Sequence, residues 1–205
     1  YSNNSKGMAD LGTICQALLD AGYAVVTPNH RSSSDAKFPA QIEDIKAVIR
    51  FIRGNAARYG FDTSFIAASG FSSGGHLASL AATSGGVAGL EGTVGDFLQL
   101  SSSVDAACDW SGPEEDVIGL KFSPDNEAAF DRLSPIYYID GDDPPVIIFH
   151  GVKDNVVPCC QATEFYETLD KAGVKTELTL EEEGGHGFNM YNEKNLRAMV
   201  DFLDA

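Results

Sequence analysis

The sequence that decides the fold is Gly70-Phe71-Ser72-Ser73-Gly74, which has the pattern G-x-S-x-G. The apolar run Phe65–Ser69 comes before it and is typical of a buried parallel strand, and Gly75–Ala82 favours a helix after it. A serine in a sharp turn between a strand and a helix is the arrangement of a nucleophile elbow, which exposes the hydroxyl at the edge of a sheet. The pattern therefore predicts that Ser72 is a nucleophile.

The glycines of this motif have a steric reason. The turn is so tight that the positions two before and two after the serine must be almost free of side-chain atoms, and Gly70 and Gly74 are expected to meet this need. Ser73 would then begin the helix, where backbone N–H groups have no intrahelical acceptor. Its N–H is predicted to stabilise an oxyanion that develops beside Ser72.

Strand and helix patterns alternate along the rest of the chain. Strands are predicted at Tyr23–Thr27, Phe65–Ser69, Val104–Trp110, Pro145–His150 and Lys175–Leu180. Helices are predicted at Met8–Leu19, Ile42–Ile52, Gly75–Ala82, Cys160–Ala172 and Leu196–Leu203. This alternation predicts an α/β fold in which a mostly parallel sheet carries helices on both faces. Sites in such sheets form at the carboxyl ends of the strands.

Residues 1–205 are expected to form one domain, because a chain of 205 residues can bury one sizeable core and no repeat or linker divides it. Residues 111–138 are polar, contain three prolines and are predicted to form an irregular, cap-like insertion. Position 1 is not methionine and no signal-peptide pattern follows it. The numbering is therefore expected to begin on a mature protein or a fragment.

The charge excludes some classes of partner. The net charge is −16, and both nucleic acid and an anionic membrane surface would repel such a chain. No apolar run approaches the roughly 20 residues of a membrane span. We therefore expect neither nucleic acid nor a membrane as a partner.

The four cysteines leave the redox compartment open. Cys159 and Cys160 are adjacent, where a disulfide between them would be strained. Cys15 lies in a predicted helix and Cys108 in a predicted strand, where cysteine often serves as a small buried apolar residue. The chain has no C-x-x-C and no Cys/His spacing typical of zinc, so no metal site is predicted.

A serine hydroxyl needs a general base, normally a histidine that a carboxylate orients. In this fold class the acid and the histidine follow the serine in that order, which leaves His150 and His186 of the four histidines. His186 lies between the last strand and the last helix with glycines on both sides, and it is the predicted base; a solvated loop histidine is the alternative. His150 ends a strand and is expected to brace the loop that follows.

The acid is predicted to be Asp154, which lies in the loop after the strand Pro145–His150. Asp142 and Asp143 come before that strand and therefore lie at the wrong end of the sheet. Glu181–Glu183 are more simply a charged, solvated turn.

Other residues near these motifs have weaker functional signals. His76 and Arg31 are expected to be structural, and the role of His30 is left open. Trp110, at the end of its strand, is a candidate for lining the substrate pocket, although a lone aromatic residue is equally typical of a core.

Four stretches combine into a recognisable pattern: Tyr23–Val26, Phe38–Asp44, Gly70–Ala78 and His150–Pro158. Together they resemble the α/β-hydrolase superfamily, and within it the bacterial acetylxylan/feruloyl esterase-like branch, near the hormone-sensitive-lipase-like carboxylesterases. The resemblance covers nearly the whole chain. It implies Ser72 as nucleophile, Asp154 as acid and His186 as base. It also implies removal of short acyl or feruloyl groups from plant-wall carbohydrate, with no metal or cofactor.

The chain departs from this family pattern at its start. Such relatives carry an H-G-G-G-W-like oxyanion segment just upstream of a stretch that resembles Ser5–Leu19, and this sequence begins after it. A natural parent with more N-terminal residues is therefore expected, together with a second oxyanion donor that this sequence lacks; losing one such donor costs on the order of 10²–10³ in rate. The family strand between those that Tyr23–Thr27 and Phe65–Ser69 resemble is also missing. This predicts either a gap in the sheet or strands that pair again across it.

The expected function is therefore a serine carboxylic-ester hydrolase that acts on a small acyl ester or an acylated oligosaccharide. A serine peptidase of the prolyl-oligopeptidase type, which shares the fold and the order of the triad, is one alternative. A non-catalytic chain without a complete oxyanion hole is the other. Analogy with wall-degrading relatives suggests a secreted or periplasmic protein, with the cytoplasm as the alternative. No pattern indicates the oligomeric state.

Overall fold

A computed structural model of the protein describes residues 13–114, 132–187 and 189–205. In these ranges, helices alternate with strands along the chain. The helices are α1 (Ile14–Asp20), α2 (Ala40–Gly54), α3 (Ala56–Tyr59), α4 (Ser73–Thr83), α5 (Ala88–Glu91), α6 (Cys160–Ala172) and α7 (Glu193–Leu203), with a 3₁₀ helix at Pro135–Tyr138. The strands are β1 (Ala67–Phe71), β2 (Ala106–Trp110), β3 (Val146–Gly151) and β4 (Thr176–Glu181).

These four strands form one parallel sheet in the order β1-β2-β3-β4. The register pairs Phe71 with Trp110, Trp110 with Phe149, and Gly151 with Glu181. The carboxyl ends of the strands therefore lie along one edge of the sheet. The loops that follow β1, β3 and β4 begin at that edge, where sites of parallel sheets form.

Helices cover both faces of the sheet, as the sequence predicts. Successive strand residues point to opposite faces. Ala107 and Ile148 belong to a core cluster with side chains of α2, α4 and α6, whereas Cys108 and Ile147 belong to one with α7, against which α1 also packs. Both β2 and β3 are buried along their whole length. Their continuous apolar sequences therefore reflect contact with helices on both sides.

The predicted strand Tyr23–Thr27 is wrong. Residues 23–30 have no regular secondary structure, and among the described strands β1 ends the sheet. Tyr23 instead packs its ring near that of Phe65, with centroids 6.4 Å apart, and donates its hydroxyl to Asp204 at 2.6 Å. An apolar run forms a strand only where a neighbouring strand accepts its backbone hydrogen bonds, and Tyr23–Thr27 has no such neighbour in the described sheet. Nor does this run pair again with β1.

The strand before the elbow starts later than predicted. Ile66 lies just outside β1, where its N–H donates to the Asp105 carboxylate and its C=O accepts from the Asp105 N–H. At its other end, β1 extends to Phe71 and leads directly into the elbow.

The predicted insertion at 111–138 falls largely on residues 115–131, which lie outside the described residues. Cys15, Cys108, Cys159 and Cys160 are all free thiols. Among the described residues, no helix combines the length and the apolar character that crossing a membrane requires.

Candidate active site

Ser72 lies at the turn between β1 and α4 with a left-handed backbone conformation, φ 55° and ψ −119°. A non-glycine residue occupies such a region only where the surrounding structure holds it there. The Ser72 N–H donates to the carbonyl of Trp110 at 2.8 Å, and the Ser72 carbonyl accepts from the His76 N–H at 3.0 Å. One bond ties the turn to β2 and the other begins the helix. The strand-turn-helix context that the motif predicts is therefore present.

The two glycines of the motif play different parts. A Cβ on Gly70 would lie 2.2 Å from the Gly74 carbonyl oxygen, so the turn can close only if position 70 has no side chain. A Cβ on Gly74 would have no atom within 4 Å. The expectation that both positions must lack a side chain is therefore wrong for Gly74, because its missing Cβ points into open space.

Ser73 is the first residue of α4. The first N–H groups of a helix have no intrahelical acceptor, and the positive end of the helix dipole lies there. The Ser73 N–H therefore has no acceptor within the helix and lies next to Ser72, at the position where the sequence predicts an oxyanion donor.

The structure brings Ser72, His186 and Asp154 together, although they lie on three different loops. His186 Nε2 is 2.9 Å from Ser72 Oγ, and His186 Nδ1 is 2.7 Å from Asp154 Oδ2. The Asp154 side chain is fully buried, whereas the His186 side chain is 17% exposed and Ser72 is half-buried. The acid is therefore shielded from water, whereas the serine and the histidine are partly exposed.

The hydrogen-bond partners of Asp154 indicate which nitrogen of His186 carries the proton. Oδ1 of Asp154 accepts the N–H groups of Val156 and Val157, both at 2.8 Å, as an ionised carboxylate does. A carboxylate only accepts, so the proton of a neutral His186 lies on Nδ1 and is donated to Asp154. Nε2 is then left as the acceptor for the Ser72 hydroxyl.

Close packing of two glycines brings the acid and the histidine within reach. A Cβ on Gly151 would lie 2.3 Å from the Gly184 carbonyl oxygen, so the loops after β3 and β4 touch through their backbones. The Lys153 N–H also donates to the Gly184 carbonyl at 2.9 Å. The Gly-Gly pair before His186 thus allows the two loops to approach closely, in addition to giving the loop freedom in its backbone path.

Phe71 packs against the imidazole of His186, with ring centroids 4.8 Å apart. It also occupies the space beside Gly187, where a Cβ would lie 2.7 Å from the Phe71 ring and where φ is +86°. Phe71, at the first x position of the G-x-S-x-G motif, thus limits the movement of the His186 ring. No local sequence pattern points to this contact of Phe71.

His150 lies behind the acid and not beside the serine. Its ring is fully buried, and Nε2 donates to the Val157 carbonyl at 3.0 Å while lying 3.5 Å from Asp154 Oδ2. Burial lowers the pKa of His150 and keeps it neutral. It therefore braces the loop that carries Asp154, as its position at the strand end predicts.

Trp110 belongs to the core. It has no exposed surface and stacks on Phe149 with ring centroids 4.1 Å apart and planes 14° from parallel, and Tyr191 packs nearby at 5.3 Å. This corrects the prediction that Trp110 lines the substrate pocket. The carboxyl end of β2 is covered by aromatic side chains, so the indole faces inward.

The remaining candidates are structural. His76 is fully buried and donates Nε2 to the Leu133 carbonyl at 2.6 Å, and burial lowers its pKa to about 4. Arg31 forms a fork of hydrogen bonds to Asp44 at 2.8–3.0 Å. Nδ1 of His30 lies 2.9 Å from the Arg31 carbonyl oxygen, within the same turn.

The competing carboxylates lie away from the relay. Asp142 and Asp143 are in the turn before β3, at the opposite end of that strand from Asp154, and burial raises the pKa of Asp143 to about 7. Glu183 is exposed and forms an ion pair with Lys153. Among the described residues, no group of three or more His, Cys, Asp or Glu side chains is arranged to hold a metal ion.

Two buried acids beside the elbow were not singled out from the sequence. Asp109 and Glu114 are fully buried, Asp109 in β2 and Glu114 in the loop after it. An aspartate inside the run Val104–Trp110 is unusual for a strand buried on both faces, and it is the signal that points to them.

Comparison with known proteins agrees with this fold. The BD-FAE family model matches residues 1–122 and 114–169. A carbohydrate esterase from gut microbiota, solved in a truncated form, is 39% identical and superposes with a TM-score of 0.93, covering all of this chain and 81% of that one. A bifunctional GH43-CE protein of Bacteroides eggerthii is 46% identical with a TM-score of 0.90, covering all of this chain and 30% of that one.

Among curated proteins, esterase LipQ of Mycobacterium tuberculosis is 32% identical, over 78% of this chain and 41% of its own length. The chain thus spans less than half the length of this relative. The match to the family model covers most of the chain, and the superposition on the truncated carbohydrate esterase covers all of it. The chain therefore belongs to the BD-FAE family of α/β-hydrolase esterases.

Proposed function

We propose that this protein is a serine carboxylic-ester hydrolase in which Ser72 is the nucleophile, His186 the general base and Asp154 the acid. The continuous hydrogen-bond relay from Ser72 Oγ through both nitrogens of His186 to Asp154 supports this assignment most directly. The three residue types, their order along the chain and their positions on loops at one sheet edge are those of α/β-hydrolase triads.

In the acylation step, His186 Nε2 takes the Ser72 hydroxyl proton as Oγ attacks the ester carbonyl carbon. The buried carboxylate of Asp154 stabilises the imidazolium that forms. The negative charge develops on the carbonyl oxygen, where the Ser73 N–H at the start of α4 is placed to donate. The ester C–O bond then breaks, and the alcohol leaves with the proton that His186 returns.

In the deacylation step, a water molecule takes the place of the alcohol. His186 removes its proton as its oxygen attacks the acyl carbon, and the bond to Ser72 Oγ breaks with the proton returned to the serine. The carboxylic acid leaves and the starting state is restored.

The proposed substrates are short acyl or feruloyl esters of plant-wall carbohydrate. The likeness to a carbohydrate esterase and to a GH43-CE protein supports a carbohydrate ester over a peptide bond. The half-buried Ser72, reached from the open edge of the sheet, is compatible with an acyl group on a bulky sugar chain.

The test uses a fluorophosphonate probe, p-nitrophenyl acetate, acetylated xylan, a feruloylated oligosaccharide and short chromogenic peptides. The probe is expected to label the wild-type protein, which should also hydrolyse the esters. Ser72→Ala should not be labelled, and its rate of ester hydrolysis should be lower by a factor of about 10⁴–10⁶. Ser69→Ala, at an exposed position of β1, is the matched control and should resemble the wild type.

Hydrolysis of the peptides but not of the esters would assign a peptidase instead. A folded wild-type protein that the probe does not label would contradict the proposed function. Ester hydrolysis that survives in Ser72→Ala would show that the nucleophile is another residue.

A further inference from the structure

Two carboxyl groups lie side by side in the interior, behind the elbow. Asp109 and Glu114 both have 0% exposure. Asp109 Oδ1 accepts the Gly112 N–H at 2.8 Å, and the Glu114 carboxyl group lies beside both Asp109 and Ser79. Oxygens of the two carboxyl groups border the same space, since a Cβ on Gly112 would lie 2.4 Å from Asp109 Oδ1 and 2.5 Å from Glu114 Oε1.

As two carboxylates, these groups would leave polar atoms without partners. Asp109 Oδ2, both carboxyl oxygens of Glu114 and Ser79 Oγ are buried without a hydrogen-bond partner when both acids are ionised. Each buried unsatisfied group is costly, and two adjacent buried negative charges repel. One added proton removes the repulsion between the two charges and gives Glu114 an O–H that can donate to Asp109.

The surroundings supply no cation to replace that proton. Within the described part of the chain, Ser79 of α4 lies beside the pair, Gln161 of α6 accepts the Glu114 N–H, and the His76 backbone N borders the same space as Gly112. The Cys108 thiol, next to Asp109 in β2, points to the opposite face of the sheet. Burial lowers the pKa of His76 to about 4 and raises that of Cys108, so both are neutral near pH 7. Burial and the nearby Asp109 charge raise the pKa of Glu114 well above its usual range.

The pair is joined to the reacting serine by short paths. A Cβ on Gly75, in the first turn of α4, would lie 2.1 Å from Asp109 Oδ1, so the acid packs directly against the start of the helix. The next residue after Asp109 is Trp110, whose carbonyl accepts the Ser72 N–H. Ser111 follows with φ 56°, a left-handed conformation that its neighbours must hold in place.

We propose that Asp109 and Glu114 share one proton at neutral pH, and that this acid–carboxylate pair is a positioning element for Ser72 and the Ser73 N–H. Glu114 donates its proton to Asp109, and Asp109 holds the turn 109–112 against α4. The pair touches neither substrate nor reacting atoms; it acts through the Trp110 carbonyl and the first turn of α4. This inference rests on the proposed function for its kinetic part only.

The first experiment measures the proton itself. Infrared spectra of the full chain with ¹³C-labelled glutamate carboxyl groups are expected to contain a protonated carboxyl band at pH 7 that is absent from Glu114→Gln. Spectra of the wild-type protein with no such band at pH 7 would overturn the proposal. This readout needs no catalysis, and the wild-type spectrum alone is enough to overturn the proposal.

The second experiment measures the positioning role with p-nitrophenyl acetate. Glu114→Gln keeps a neutral donor toward Asp109, so its kcat should stay within about threefold of the wild type, whereas kcat of Glu114→Ala should fall by about tenfold or more at unchanged KM. Glu164→Gln, an exposed acid on α6, is the control. If folded Glu114→Gln loses as much kcat as Glu114→Ala, the shared proton is not what positions the serine.

The two proposals fail in different ways. A wild-type protein with no ester hydrolysis and no fluorophosphonate labelling contradicts the proposed function, and the infrared band still decides whether the proton is shared. An active wild-type protein without the band contradicts only the present inference.

Discussion

The backbone carbonyl of Trp110 accepts the backbone N–H of Ser72 at 2.8 Å. This bond continues the β1–β2 ladder by one residue beyond Phe71, the last residue of β1, and holds the serine in its left-handed conformation. The residue that was a candidate pocket wall therefore contributes through its main chain, while its indole packs in the core. The position of the nucleophile depends on β2 as much as on its own motif.

The two motif glycines are predicted to respond differently to an added methyl group. Gly70→Ala places a Cβ 2.2 Å from the Gly74 carbonyl oxygen and should prevent the turn from closing, with loss of stability and of fluorophosphonate labelling. Gly74→Ala meets open space within a helix and should be neutral or stabilising by about 0.5–1 kcal/mol. Chemical denaturation of both variants checks this, and equal destabilisation would contradict the different roles.

Asp154→Asn is predicted to fold normally but to lose about 10⁴ in kcat. The asparagine oxygen can still accept the N–H groups of Val156 and Val157, so the loop should persist. Its amide nitrogen would face His186 Nδ1 and favour the tautomer that cannot accept the Ser72 proton.

Rates with p-nitrophenyl acetate and thermal unfolding test this expectation. Asp142→Asn, an exposed acid at the opposite end of β3, is the control and should keep the wild-type rate. A larger loss of rate in Asp142→Asn than in Asp154→Asn would show that Asp154 is not the acid.

The ion-pair cluster at Glu91 is predicted to be a main contributor to stability. Glu91 pairs with Lys46 at 2.7 Å and with Arg50 at 3.2 Å, and these two cations are 0% and 2% exposed. Glu91→Gln leaves both cations buried without a counter-charge and should cost about 3–5 kcal/mol in the free energy of unfolding.

An exposed pair is the matched control for that measurement. Glu167 pairs with Lys171 on the surface of α6, and Glu167→Gln should change the unfolding free energy by less than about 1 kcal/mol. Urea titrations of both variants give the comparison. Similar losses of unfolding free energy in the two variants would mean that burial of Lys46 and Arg50 does not increase the contribution of their ion pairs to stability.

Acid is predicted to destabilise the protein through His76. Burial lowers its pKa from 6.5 to about 4, so between these values the unfolded chain binds a proton that the folded chain does not. Stability is therefore full above about pH 6.5 and falls as the pH drops toward 4, by about 3 kcal/mol at most.

His76→Gln, whose amide can still donate to the Leu133 carbonyl, should lose this part of the slope. The slope that remains belongs in part to His150, whose pKa burial also lowers. Unfolding free energies measured from pH 4 to 7 test this. A slope in His76→Gln equal to that of the wild type would contradict it.

The parallel sheet and the positions of the loops could be predicted from the sequence because they depend on local patterns. The runs Val146–Phe149 and Ala106–Cys108 are apolar and continuous, which is the pattern of strands covered on both faces. Tyr23–Thr27 has the same local pattern, yet it is not a strand, because strand formation also needs a pairing partner that no local pattern contains.

The sequence by itself determined the chemical types of the relay. A serine between glycines, an aspartate after a buried strand and a histidine between glycines follow one another in the order that this chemistry needs. That order, and their positions after predicted strands, were the reasons for selecting them. Their orientation came only from the tertiary structure: the Gly151–Gly184 contact sets the Asp154–His186 distance, and the Phe71 ring limits the imidazole. The inward turn of Trp110 and the meeting of Asp109 with Glu114 were likewise decided by packing, because a residue's burial depends on what the rest of the chain places against it.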